Sequence, residues 1–118
     1  MHKKGTIRGC ADGENCLVGS KLFKESGFHS DKVEIFLLKI GPKDYPGKLH
    51  IHEKMDEIVV VLKGKFIIEM DGETMELYGG DYVFKTAGSP GRALAAVEGT
   101  EVLIIKAPSV GGDVRIIE

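Results

Sequence analysis

Lys48–Gly64, K-L-H-I-H-E-K-M-D-E-I-V-V-V-L-K-G, is the stretch whose reading decides the fold. His50 and His52 are two positions apart, so on an extended segment both imidazoles leave one face while Ile51 leaves the other. Glu57 follows five positions later, after E-K-M-D, which is polar enough to turn the chain. Ile58–Leu62 is then five consecutive aliphatic residues with a strong β bias. The pattern predicts a hairpin whose two strands pair, bringing the Glu57 carboxylate back beside the imidazoles. Two nitrogens and one oxygen around one point make a face able to hold a divalent transition metal, with positions left open for water or substrate. Gly64 permits the tight turn that ends the strand.

On the N-terminal side, G-P-K-D-Y-P-G (residues 41–47) is a loop, with two prolines and two glycines in seven residues. Before it, Val33–Ile40 is apolar on both faces except at Glu34 and Lys39, which predicts a strand covered on both sides. Residues 1–32 read as an N-terminal arm with short strands.

On the C-terminal side, Lys65–Met70 is a further strand and Asp71-Gly72 a two-residue hairpin signal. In E-T-M-E-L-Y, Met75 and Leu77 share one face and Thr74 and Glu76 the other, so burial sets the register. Gly79-Gly80-Asp81 turns the chain, Tyr82–Phe84 is extended, and A-G-S-P-G (87–91) is another loop. Ala93–Val97, Glu101–Ile105 and a final V-R-I-I supply the last short strands. About nine short strands without sustained helical periodicity predict an all-β sandwich or barrel.

At 118 residues the chain is one domain. Sixteen Lys and Arg against eighteen Asp and Glu leave a net charge of −2, with no basic field for a polyanion, so nucleic acid and membrane surfaces are not expected partners. The 16 glycines, about twice the usual share, fit a turn-rich fold. M-H-K-K-G-T is not followed by an apolar stretch, so the expected compartment is the cytoplasm. Cys10 and Cys16 match neither a C-x-x-C redox motif nor a common zinc pattern and are expected as reduced thiols.

The spacing H-x-H-x4-E-x6-G, written by His50, His52, Glu57 and Gly64, resembles the first signature of the cupin family. The resemblance implies a single-domain double-stranded β-helix, or jelly-roll barrel, over 33–107, followed by a C-terminal strand or tail (108–118). It implies a divalent metal (Fe, Mn, Ni or Zn) held by His50, His52 and Glu57, acting on a small molecule by oxygenase-, isomerase-, decarboxylase- or lyase-type chemistry. A homodimer is also implied. Asp44 stands where the family pattern begins with glycine. The second family motif, whose His supplies a fourth ligand, is matched at Gly80 and Gly88, but Thr86 replaces its proline, Gly91 its His and Ala95 its Asn.

Three outcomes stay open at this point: a three-ligand metal site; an inward Arg92 that pairs with Glu57 and makes a metal-free site for an anionic ligand; or an inert His pair. Two functions follow, a metal-dependent enzyme and a non-catalytic barrel that binds or senses a small anionic metabolite. Arg92 and Tyr82 are the candidate substrate-binding residues. No acid or base is assigned, because Glu57 is committed to the metal. His2 and His29 lack supporting ligands, and Asp81 reads as a turn residue.

Overall fold

The computed structural model describes residues 2–40 and 45–117. Among these the chain forms eleven strands and no helix: β1 (Gly13–Gly19), β2 (Phe28–His29), β3 (Glu34–Lys39), β4 (His50–Ile51), β5 (Asp56–Lys63), β6 (Lys65–Met70), β7 (Glu73–Tyr78), β8 (Tyr82–Lys85), β9 (Gly91–Ala96), β10 (Glu101–Ala107) and β11 (Arg115–Ile116). They build a six-stranded sheet in the order β2-β1-β3-β10-β5-β8 and a five-stranded sheet in the order β11-β4-β9-β6-β7. This is the all-β architecture expected from the turn-rich, short-strand pattern, in the jelly-roll form that the family resemblance implied. Residues 1–32, expected as an arm, supply β1, which pairs along β3 in the larger sheet. Gly41 to Asp44, part of the expected loop and the site of the departure at Asp44, lie outside the described residues.

The hairpin expected between the His pair and Ile58–Leu62 does not form. β4 pairs with β9 and β11 in the smaller sheet, while β5 lies between β10 and β8 in the larger one. An unbroken aliphatic strand needs cover on both faces and so takes an interior place in a sheet. Residues 52–55 therefore carry the chain from one sheet to the other. Glu57 meets His52 across the barrel interior, not along a shared ladder.

The register stacks the inward side chains in layers. Val102 faces Leu38 on one side and Val61 on the other; Ile104 likewise sits between Phe36 and Val59. With Phe66, Ile68, Met70 and Leu77 from the smaller sheet, Leu38, Val59, Val61, Val102 and Ile104 close an apolar floor. Two turns behave as read: Asp71 (φ 52°) and Gly72 (φ 78°) both take positive φ in the β6–β7 hairpin, and the Asp81 carboxylate accepts the Tyr78 backbone N–H at 2.8 Å. Cys10 and Cys16 are free thiols. None of the described segments is a helix long and apolar enough to cross a membrane.

Candidate functional site

The next layer above the apolar floor changes character. On the same inward parity, Lys106 lies between Glu34 and Glu57, and Glu57 lies opposite Lys85. Four adjacent strands, β3, β10, β5 and β8, thus present Glu34, Lys106, Glu57 and Lys85 in a row of alternating charge. The Glu57 carboxylate is 3.5 Å from Lys85 Nζ and 3.9 Å from Lys106 Nζ, and Lys106 Nζ is 4.0 Å from Glu34. The other Glu34 oxygen accepts the Ser109 hydroxyl at 3.0 Å. This row borders a cavity of about 410 Å³ whose wall includes His50, His52, Glu57, Lys85, Arg92 and Lys106. A larger open groove of about 1220 Å³, beside Phe23, Phe28 and Phe36, holds neither the imidazoles nor the charged row.

Both imidazoles are oriented through Nδ1. His52 Nδ1 lies 2.5 Å from the Asp113 carbonyl, and His50 Nδ1 lies 2.9 Å from the Lys48 carbonyl. A carbonyl can only accept, so Nδ1 carries the proton in each neutral ring and Nε2 carries the lone pair. His52 Nε2 is buried without a hydrogen-bond partner, 3.9 Å from Glu57 Oε2. Asp113 also fastens the crossing segment: its carboxylate accepts the backbone N–H groups of Glu53, Lys54 and Met55 at 2.9, 2.9 and 3.0 Å. Burial alone would raise the Asp113 pKa, but the three N–H donors outweigh it and hold the carboxyl below its ordinary range.

Burial lowers the His52 pKa first; the Asp113 carbonyl and Glu57 oppose that shift, while Lys106 and Lys85 reinforce it, and the result is a ring held neutral at pH 7. Because the folded-state value lies below the ordinary 6.5, the unfolded chain takes up this proton first as pH falls. The stability linked to His52 is complete above that value and drains away as pH drops through the folded pKa. Thermal unfolding between about pH 5 and 7 is expected to show a falling Tm toward acid, flattened in His52→Gln. An unchanged slope in the variant would remove His52 as the cause.

His50, His52 and Glu57, expected as a metal-ligand set, line one cavity, yet among the described residues no three His, Cys, Asp or Glu side chains form a group that could hold a metal ion. The donor types suit a divalent metal and the Nε2 lone pair of His52 is available, but the carboxylate is engaged by two ammonium groups. A dication about 4 Å from one ammonium is repelled by on the order of 8 kcal/mol at an effective dielectric constant near 20. The arrangement therefore does not fit a resident metal ion.

Of the two candidate substrate-binding residues, Arg92 lines the cavity and Tyr82 does not. Arg92 pairs with Glu69, at 3.3 Å, its register partner on β6, and not with Glu57. Tyr82 is 72% exposed on the opposite face of β8 from Lys85 and does not line the cavity. His29 is exposed beside Ser26 and also lies off the cavity. The residues that sequence reasoning missed are Lys85, Lys106, Glu34 and Asp113. Lys106 and Glu34 had a signal, a single charge in phase with inward apolar residues of the same strand. Asp113 had none, since its partners lie about 60 positions away.

A jelly roll with a cavity between its sheets, largely apolar but charged along one wall and entered by an H-x-H segment, defines the class of the protein. The chain belongs to the cupin family: the cupin domain model matches residues 36–105. Quercetin 2,3-dioxygenase of Bacillus subtilis is 43% identical over 61 residues, 51% of this chain and 18% of that protein, so the chain spans under a fifth of the length of this relative. KdgF from Halomonas sp. superposes with a TM-score of 0.63 at 25% identity, covering 70% of this chain and 74% of that one. The DMSP lyase DddQ from Ruegeria pomeroyi superposes with a TM-score of 0.71 at 21% identity, covering 96% of this chain and 59% of that one, a likeness of fold.

Proposed function

We propose that the barrel binds a small anionic compound and moves a proton on it. The observation that carries this reading is the row Lys106–Glu57–Lys85 at the cavity wall, with Glu34 behind Lys106, facing the lone pair of His52 Nε2. Among the described residues the lining carries the cationic side chains Lys48, Lys85, Arg92 and Lys106 beside the carboxylates of Glu14, Glu57 and Glu69, and Glu34 stands next to Lys106. A carboxylate or enolate oxygen beside Lys85 and Lys106 meets ammonium groups already held in place, which stabilise its charge with little reorganisation. The neutral His52 Nε2 accepts a proton from the carbon next to that group, and the electron pair left on carbon spreads onto the oxygen facing the lysines. Such a step belongs to isomerase- or lyase-type chemistry, and a positioned base contributes about 10²- to 10⁴-fold.

The test uses metal-stripped protein. A panel of small carboxylates and sugar acids should include one that raises the Tm, with the effect lost in Lys106→Met. In D₂O that compound should exchange its α-proton, slower by about 10²-fold or more in His52→Gln. A second reading, a divalent metal at His50, His52 and Glu57, is favoured by one feature, that both rings leave Nε2 free of the carbonyl contacts that fix Nδ1. Stabilisation of the protein by carboxylates only after metal addition would replace the first reading with the second.

A second copy is proposed for the outer face of the larger sheet. The rows Leu103–Val60–Tyr82 and Ile35–Ile105–Ile58–Phe84 make an apolar surface on this face, with Tyr82 and Phe84 mostly exposed. Light scattering should give twice the chain mass, and Tyr82→Glu with Phe84→Glu should give a monomer. A wild-type monomer would refute the dimer. The cytoplasm remains the proposed compartment, in keeping with two free thiols.

A further inference from the structure

Position 91 is where the second family motif places a metal-ligating His, and here it is Gly91. The structure gives this glycine a specific purpose. A Cβ at position 91 would lie 3.1 Å from Lys85 Nζ, 3.5 Å from Lys85 Cδ and 3.1 Å from the Glu69 carbonyl oxygen. The Lys85 side chain therefore lies across residue 91, in space that a larger residue would take. From there its ammonium, on a side chain only 4% exposed, reaches 3.5 Å from Glu57 Oε1. The second ammonium, on Lys106, approaches the other oxygen of the same carboxylate. Together they bring two positive charges to Glu57, the charge of one divalent ion.

We propose that Lys85 and Gly91 are one device: the glycine makes room for a lysine whose fixed charge takes the place of a divalent metal at Glu57 and keeps such metals out. The inference rests on the metal-free reading of the site and deepens it, because it names the residue responsible. It also accounts for the coexistence of a nearly complete H-x-H-x4-E-x6-G motif with a second motif that has lost its ligand. A lysine charge cannot be removed by a chelator, so the site's electrostatics do not depend on metal supply.

The experiment compares four full-length proteins purified without chelators: wild type, Lys85→Met, Lys85→Arg and Lys85→Met/Gly91→His. Each is loaded with Ni(II), passed through gel filtration and assayed for metal by elemental analysis, with circular dichroism as the check on folding. Wild type and Lys85→Arg should retain little metal, Lys85→Met should bind Ni(II) at least about tenfold more tightly than wild type, and the double variant should retain about one equivalent per chain. Should the double variant misfold, the Ni(II) titration of Lys85→Met alone decides the matter.

About one equivalent of metal in wild type would overturn the proposal, and so would a Lys85→Met protein no better at binding Ni(II). Carboxylate binding by metal-stripped wild type, measured in parallel, separates the two readings. If that binding persists while Lys85→Met gains nothing, only the role of Lys85 falls. If it is absent and wild type holds metal, the metal-free function falls with it.

Discussion

Replacement of Glu57 by alanine is expected to destabilise the protein by about 3 kcal/mol, because removing one partner of a buried ion pair leaves its counter-charge uncompensated. Here two ammonium groups are stranded, Lys85 at 3.5 Å and Lys106 at 3.9 Å. Lys106 retains Glu34, whereas the Lys85 side chain is 4% exposed and has no other ion-pair partner among the described residues. The loss should therefore be carried mainly by Lys85. Urea unfolding at fixed protein concentration gives the measurement, and Glu57→Ala/Lys85→Met should be more stable than the sum of its single variants by about 1–3 kcal/mol. Strict additivity would show that the two side chains are not energetically coupled and would weaken the account of the site as a charge-balanced row.

Gly64→Ala should be as damaging, about 4 kcal/mol, for a reason unrelated to charge. Gly64 joins β5 to β6 with φ +89°, which costs an L-residue roughly 1–2 kcal/mol. An added Cβ would also collide with the Thr100 side-chain oxygen and lie 2.8 Å from Thr100 Cα. Thr100 cannot withdraw. It is fully buried, its hydroxyl bridges the Lys65 N–H and carbonyl at 3.1 Å each, and its carbonyl accepts the Ile40 N–H at 2.8 Å. Gly72→Ala is the control, since Gly72 has φ +78° but no atom within 4 Å of an added Cβ. It should lose only the conformational part, about 1–2 kcal/mol. Equal losses at the two positions would show that the contact with Thr100 is not what makes Gly64 necessary.

The parts of the fold legible in the sequence are those set by neighbours along the chain. Alternation put Met75 and Leu77 inward, Asp71-Gly72 marked its hairpin, and the doubly apolar runs became interior strands of the larger sheet. The convergence of His50, His52 and Glu57 on one cavity was also legible, because residues two apart on an extended segment share a face. The route by which they meet was not. A hairpin and a crossing between sheets use the same turn-forming E-K-M-D, and only the demand of Ile58–Leu62 for cover on both faces separates them.

Charge partners were the least legible. Arg92 sits next to the vacant ligand position in sequence, yet across β6 and β9 it faces Glu69, while Lys85, six positions before Gly91, folds back over it.

By itself, then, the amino-acid order determined which segments are extended, which residues of each point inward, and where the backbone must turn through positive φ, since all three depend on side-chain alternation and on local steric limits. Only the tertiary structure decided that Glu34, Lys106, Glu57 and Lys85 stand side by side and that two lysines hold the carboxylate. Strand order and register join residues many positions apart, and they are settled by how two sheets bury a common core, which no local pattern encodes.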